Sequence, residues 1–371
     1  MNNFPKIIIS GGGTGGHIFP AIAIANALKQ LMPRCDILFV GANGRMEMEK
    51  VPAAGYKIVG LNIRGIQRGS IFKNLGLPFR LLGSVRKAIR IIRDFKPDVV
   101  VGVGGYASGP MLYAASLKNI PYLIQEQNSY AGITNKYLGK KAQKICVAFE
   151  NMERFFPAEK LLLTGNPVRK EAVDIKGKHF AGAELLKLDP QKKTILVIGG
   201  SLGARTLNAS VEKHLDELIA ADIQVIWQTG KFYFKSITER ITQHPNFRIL
   251  EFLNRMDLPY AAADLIISRA GAGTIAELCL IKKPVILVPS PNVAEDHQTK
   301  NAMALAKNNA AIVIADRSAE DTLIAEAIKL MKNKSKCEEL SANIGKMALP
   351  NADEIIANQV LKLVTTTKRS S

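Results

Sequence analysis

The stretch KIIISGGGTGGHIFPAIAIANALKQL, residues 6–31, decides the fold. Lys6–Ser10 is a short apolar run rich in β-branched isoleucine and reads as a buried strand. Residues 11–16 are five glycines and one threonine, almost bare backbone. After them Ala21, Ile24, Leu28 and Leu31 recur at helical spacing. Pro20 suits the first turn of that helix, where its missing N–H costs nothing. Strand, glycine turn, helix is the opening unit of a doubly wound α/β domain, whose ligands bind beyond the carboxyl ends of the strands.

The same unit restarts in the second half. Lys193–Ile198 is a strand, GGSLGA (199–204) a small-residue turn, and a helix follows from about Thr206. Further strands are expected at Asp36–Val40, Asp98–Val101, Tyr122–Ile124 and Lys144–Val147 in the first half. In the second half they are expected at Gln224–Trp227, Phe247–Glu251, Leu265–Ser268, Pro284–Val288 and Ala311–Ala315. The fold class is therefore α/β, two Rossmann-like doubly wound parallel-sheet domains facing across a cleft. Expected domains are 1–165, 166–345 and a C-terminal segment 346–371, whose helix packs back on the first domain. An Asn-x-x-Glu cap signal, Asn351 and Glu354, opens that helix. Four glycine turns would line the cleft: 11–16, 102–109 (GVGGYASG), 199–204 and 270–274 (AGAGT).

Glycine lets backbone N–H groups approach a ligand, and a following helix N-terminus favours an anion. Phosphate binding is the functional reading of these turns; close packing of helix on strand is the other. Gly11, Gly13 and Gly16 satisfy GxGxxG, yet the second strand ends LFVGANG, without the acid that a nicotinamide dinucleotide's ribose needs. GxxxxGK[ST] and Asp-x-Asp are absent as well, so no metal site is expected. In SRAGAGTIAEL (268–278), Thr274 and Glu277 fit either a capping box or a carboxylate accepting from ribose hydroxyls.

At 371 residues with 47% hydrophobic composition, each half can fill a core. Cys35, Cys146, Cys279 and Cys337 form no CxxC pair, which fits a reducing compartment. No apolar run reaches the roughly 18 residues of a membrane span, and no signal peptide is read, so a cytosolic location or a cytosolic membrane face is expected. The net charge of +18 is uneven: residues 1–165 carry 22 Lys+Arg against 9 Asp+Glu. The excess peaks at 63–96, where Asp94 is the only acid and basic residues alternate with Ile, Phe and Leu. That stretch suits anionic lipid head groups, nucleic acid, or a solvated helix face.

Taken together, GGGTGGHIFPAIAIA, GVGGYASGP, QEQNSYAGITNK, TGNPVR, GGSLGAR, SRAGAGTIAE and EDHQTKNA resemble, in order, the motifs of the bacterial MurG family. The resemblance runs from Ile7 to about Ala302. It implies the GT-B architecture and a metal-independent, inverting transfer of N-acetylglucosamine (GlcNAc) from UDP-GlcNAc to the MurNAc C4 hydroxyl of lipid I, giving lipid II. It implies no cofactor, and a peripheral place on the cytoplasmic face of the plasma membrane. It also implies a part in peptidoglycan synthesis, cell shape and division, with cell-wall synthesis and division proteins as partners.

By the resemblance, UDP-GlcNAc would be met by Thr14, Gly15, Gly16, Asn128, Arg169, Ser201, Leu253, Ala272, Gly273, Thr274, Ile275, Ala276, Glu277 and Gln298. Gly13, Gly104, Gly105 and Tyr106 would meet the acceptor diphosphate. From the residues themselves, the proton is expected to pass to His17, with Glu126 as the rival base, since an unperturbed imidazole titrates at ~6.5 and accepts a proton at neutral pH; the other reading of His17 is a side chain that orients a phosphate or caps the loop. Leu202 stands where many members have glutamine, and His297 where some have a second one. The anionic membrane would be met through residues 63–96, with Ile71, Phe72, Leu75, Leu77, Phe79 and Leu82 flanked by Arg64, Arg68, Lys73, Arg80, Arg86 and Lys87. Competing readings are another GT-B enzyme on a lipid acceptor, a UDP-GlcNAc 2-epimerase, a nucleic-acid module and a dinucleotide oxidoreductase. A nucleic-acid module would leave four glycine turns without a use, so nucleic acid is not an expected partner.

Overall fold

The computed structural model describes residues 4–63, 77–293 and 296–369. The chain divides into two units: residues 1–168 with 350–371, and residues 169–349.

Among the described residues the first unit holds a seven-stranded sheet. Its strands are β1 (Lys6–Ser10), β2 (Asp36–Ala42), β3 (Lys57–Leu61), β4 (Val99–Gly102), β5 (Tyr122–Glu126), β6 (Lys144–Val147) and β7 (Leu161–Leu163). All pairings are parallel, in the order β3-β2-β1-β4-β5-β6-β7. Both faces are covered, as unbroken apolar strands require. Ile7 and Ile9 enter one core layer and Ile8 the other, the two-residue alternation of a strand. The first layer is completed by the last helix, Ala352–Arg369, through Ile356, Ala357, Val360 and Val364. That helix packs on Gly15–Leu31.

The second unit holds a parallel sheet of six: β8 (Thr194–Ile198), β9 (Gln224–Gln228), β10 (Phe247–Leu250), β11 (Leu265–Ser268), β12 (Val285–Leu287) and β13 (Ile312–Val313). Its order is β10-β9-β8-β11-β12-β13. The single tryptophan, Trp227, is fully buried, and its indole N–H donates to Asn208 at 2.9 Å.

In each sheet the winding reverses once, between β1 and β4 and between β8 and β11. These are the switch points at which such sheets open a crevice. Register aligns the strand ends there: Ser10 with Gly102, and Ile198 with Ser268. Each of the four glycine turns leaves one of these four ends.

The structure changes several local readings. The first helix begins at Gly15, so Pro20 lies inside it and the Gly16 carbonyl has no helical N–H to accept. Its Leu31 is exposed, unlike Ala21, Ile24 and Leu28. Strands β3 and β7 were not expected. Within 63–96, residues 64–76 lie outside the described residues, with them Arg64, Arg68, Ile71, Phe72, Lys73 and Leu75. The remainder forms the helix Leu77–Phe95. No described helix is long and apolar enough to cross a membrane.

Candidate active site

In the first unit the turns after β1 and β4 touch backbone to backbone. A Cβ on Gly105, whose φ is +83°, would stand 2.1 Å from the Gly12 carbonyl oxygen. The imidazole of His17 lies against Gly104, where a Cβ would come within 2.6 Å of Cδ2. The Tyr106 ring faces Gly13 at 3.8 Å from a Cβ built there, and is 46% exposed. Thr14 precedes the helix in extended conformation, the ordinary N-cap geometry, but makes no side-chain cap bond. Its hydroxyl meets His17 Nδ1 instead, at 3.2 Å. Thr14, Gly15, Gly16 and His17 thus gather with Gly13, Gly104, Gly105 and Tyr106 at one switch point.

Glu126, the rival base of the sequence reading, ends β5. It is 3% exposed. One oxygen accepts from the Asn128 backbone N–H at 3.1 Å and its side-chain amide at 3.5 Å. The other accepts from Gly132 N–H at 3.2 Å and Asn135 Nδ2 at 2.8 Å. Four donors surround this buried carboxylate, so it ties the 127–135 loop and Asn128 in place.

In the second unit the turn Gly199–Gly203 packs against residues 229–233. A Cβ on Gly230, at φ +83°, would lie 2.1 Å from the Gly203 nitrogen, and Lys231 N–H donates to the Ser201 carbonyl at 3.1 Å. The helix Arg205–Lys213 follows, with Ala204 at its N-cap. Alanine has no oxygen to cap the first-turn N–H groups, which leaves them for an anion. A cavity of about 750 Å³ opens here, lined among others by Gly199, Gly200, Gly271, Thr274, Ser290 and Gln298. Gln298 Oε1 accepts from the N–H groups of Ala270 (3.2 Å) and Ser290 (2.8 Å). Both partners are donors, which fixes the amide oxygen inward and turns its NH₂ to the other side.

The helix Ala272–Ile281 has Gly271 as its N-cap, so Thr274 and Glu277 do not form a capping box. Glu277 accepts instead from the hydroxyl of the fully buried Tyr260, at 2.8 Å. Burial raises the Glu277 carboxyl above its ordinary range, against the Tyr260 hydrogen bond and the nearby Arg169 charge, which lower it. Leu253 is buried just past β10, and Ser201 is exposed on its turn.

Sequence reasoning missed Tyr260 and a brace across the cavity wall. Arg269 donates to the Val288 and Pro289 carbonyls and to Asp316, and Asp316 also accepts from the Thr206 hydroxyl at 3.0 Å. An arginine directly after a switch-point strand was the signal available for it. Among the described residues no group of three or more His, Cys, Asp or Glu is placed to hold a metal ion.

Two Rossmann-like units, with an anion-ready helix start and a carboxylate at the second switch point, are the parts of a nucleotide-sugar glycosyltransferase. Residues 7–147 match the glycosyltransferase family 28 N-terminal domain and residues 194–356 its C-terminal domain. A relative from Parabacteroides distasonis is 54% identical over 97% of this chain and 98% of its own, and one from Flavobacterium psychrophilum is 53% identical over 98% and 99%. Both are named UDP-N-acetylglucosamine–N-acetylmuramyl-(pentapeptide) pyrophosphoryl-undecaprenol N-acetylglucosamine transferase. The crystal structure of Acinetobacter baumannii MurG has 30% identity and a TM-score of 0.78, over 96% of this chain and 99% of that one. The chain belongs to the MurG family of glycosyltransferase family 28.

Proposed function

We propose that this chain transfers GlcNAc from UDP-GlcNAc to the C4 hydroxyl of the N-acetylmuramyl unit of lipid I, giving lipid II for peptidoglycan. One observation carries the donor half: the uncapped start of Arg205–Lys213 and Gln298 line one cavity at the second switch point, and Glu277 lies on the helix Ala272–Ile281 that opens beside it. The diphosphate takes the amides of the Gly199–Gly203 turn beside Ser201. Glu277 accepts from ribose hydroxyls, the Leu253 backbone reads uracil near Arg169, and the Gln298 NH₂ meets the sugar. Residues 272–276 give the donor its helix start.

The acceptor hydroxyl attacks the anomeric carbon with inversion while the bond to UDP breaks. Its proton passes to the His17 imidazole, which Thr14 orients; such a base is worth roughly 10²–10⁴-fold. The leaving diphosphate's growing charge is met by preorganised N–H dipoles. The acceptor's own diphosphate lies by Gly104, Gly105 and Tyr106. Exposed Phe79, Leu81 and Leu82 beside Arg80 and Arg86 dock the helix Leu77–Phe95 on an anionic bilayer from the cytoplasmic side. That location gives access to lipid I and to the proteins of wall synthesis and division.

The test is incubation of the purified protein with UDP-[labelled GlcNAc] and a lipid I analogue, with EDTA present. Label should enter the lipid. Release of the label as an epimer or free sugar, or a need for a divalent cation, would overturn this reading.

A further inference from the structure

Glu47 is 1% exposed and lies in no motif that points to a ligand. It opens the short helix Glu47–Ala53, five residues past β2. Its Oε2 accepts from Gly13 N–H at 2.8 Å, and its Oε1 from Ala42 N–H at 2.9 Å. One carboxylate therefore fastens the turn after β1 to the end of β2. Its stem also explains two glycines. A Cβ on Gly12 would stand 2.2 Å from Glu47 Cδ, and one on Gly41 would stand 2.5 Å from Cγ. Those positions are bare so that an acid can lie beneath the turn. The Gly13 amide is thereby spent, and Gly13 serves an acceptor diphosphate by the shape of the turn rather than by a hydrogen bond.

The next residue after Gly13 is Thr14, which caps the helix geometrically and holds His17 Nδ1. Gly12 is also the backbone against which Gly105 seats, next to Tyr106. We infer that Glu47 is a positioning residue: by pinning Gly13 it stations Thr14, His17 and Tyr106 for the acceptor. This rests on the transferase reading above. A buried carboxylate with two N–H donors is hard to replace, because an amide can accept from one donor but sets its own NH₂ against the other. A loosened turn displaces His17 by a fraction of its reach, and misplacement on the order of 1 Å costs about 10²-fold in rate.

The experiment measures transfer to a lipid I analogue and, separately, UDP binding by calorimetry, for wild type, Glu47→Gln and Gly41→Ala. Gly41→Ala leaves the carboxylate intact but drives a methyl into its stem. Both variants should lose about 10–100-fold in kcat while UDP binds within about twofold of wild type. Unchanged kcat in both, or UDP binding weakened as much as kcat, would overturn the inference. Wild-type protein inactive in the same assay would instead reject the transferase reading.

Discussion

A hydrogen bond and burial pull on Glu277 in opposite directions. The Tyr260 hydroxyl fixes one oxygen, while burial favours the protonated form. Because its native pKa is raised, its stabilising contribution is complete below the unfolded value of about 4.3 and is lost as pH rises through the native one. Glu277→Gln keeps an acceptor for Tyr260 and removes that loss. On the proposed reading, in which Glu277 accepts from ribose hydroxyls, UDP affinity should nevertheless fall about 10-fold, because a neutral oxygen accepts more weakly; calorimetric titration reads the affinity, and urea unfolding across pH reads the stability. Lys283 gives the opposite sign. Burial pulls its ammonium down to about 8, while it donates to the carbonyls of Ala261 and Ala263. Between about 8 and the unfolded value near 10.4 the native state binds fewer protons, so stability rises with pH. Measured against Lys283→Met, which cancels the cysteines and tyrosines that titrate in the same window, wild-type stability from urea unfolding should gain on the order of 1–3 kcal/mol between pH 7.5 and 10. At this scale the sequence was legible for placement, as with His17 against the glycine turn at Gly104 and Gln298 on the cavity wall. It was silent where the partner comes from afar, since Tyr260 is 17 positions from Glu277 and Gly13 is 34 from Glu47.

The turns and helices show which local signals survive folding. Gly230→Ala would force a methyl into the Gly203 nitrogen at a positive φ, so the donor turn must open. A thermal midpoint lowered by about 1–3 kcal/mol of stability, with UDP affinity lost alongside it, is expected. The helix Leu77–Phe95 makes a separate prediction. Phe79 is 79% exposed, and it, Leu81 and Leu82 flank Arg80. Phe79→Ser with Arg80→Glu should weaken flotation with anionic vesicles and leave the melting temperature alone, as exposed sites do. The central strands were readable because burial on both faces makes them continuous runs of Val, Ile and Leu. The missed strands lie at the edges of the first sheet: KIVGL carries an interior glycine, and LLL has only three residues. The early start of the first helix was hidden because glycine has poor helix propensity, which close packing of the two turns overrides.

Repetition of strand, glycine turn and helix was enough to read two sheets from the chain, and the last helix was expected to return to the first unit, although the residues it meets there lie far away in sequence. That helix brings Ile356, Ala357, Val360 and Val364 into the first unit's core. Each buried aliphatic of the larger kind contributes about 1.5–3 kcal/mol, so removal of residues 350–371 should take away most of a typical domain stability of about 5–15 kcal/mol. Limited proteolysis should then cut the first unit rapidly and spare residues 169–349. The chain's path also sets an order of birth. The leading half of the molecule leaves the ribosome without the piece that closes its interior, and that piece is synthesised only after the whole of the other unit. At ~5–20 residues per second, the unit that begins first waits some 10–40 s, by which time its younger neighbour has every strand it needs.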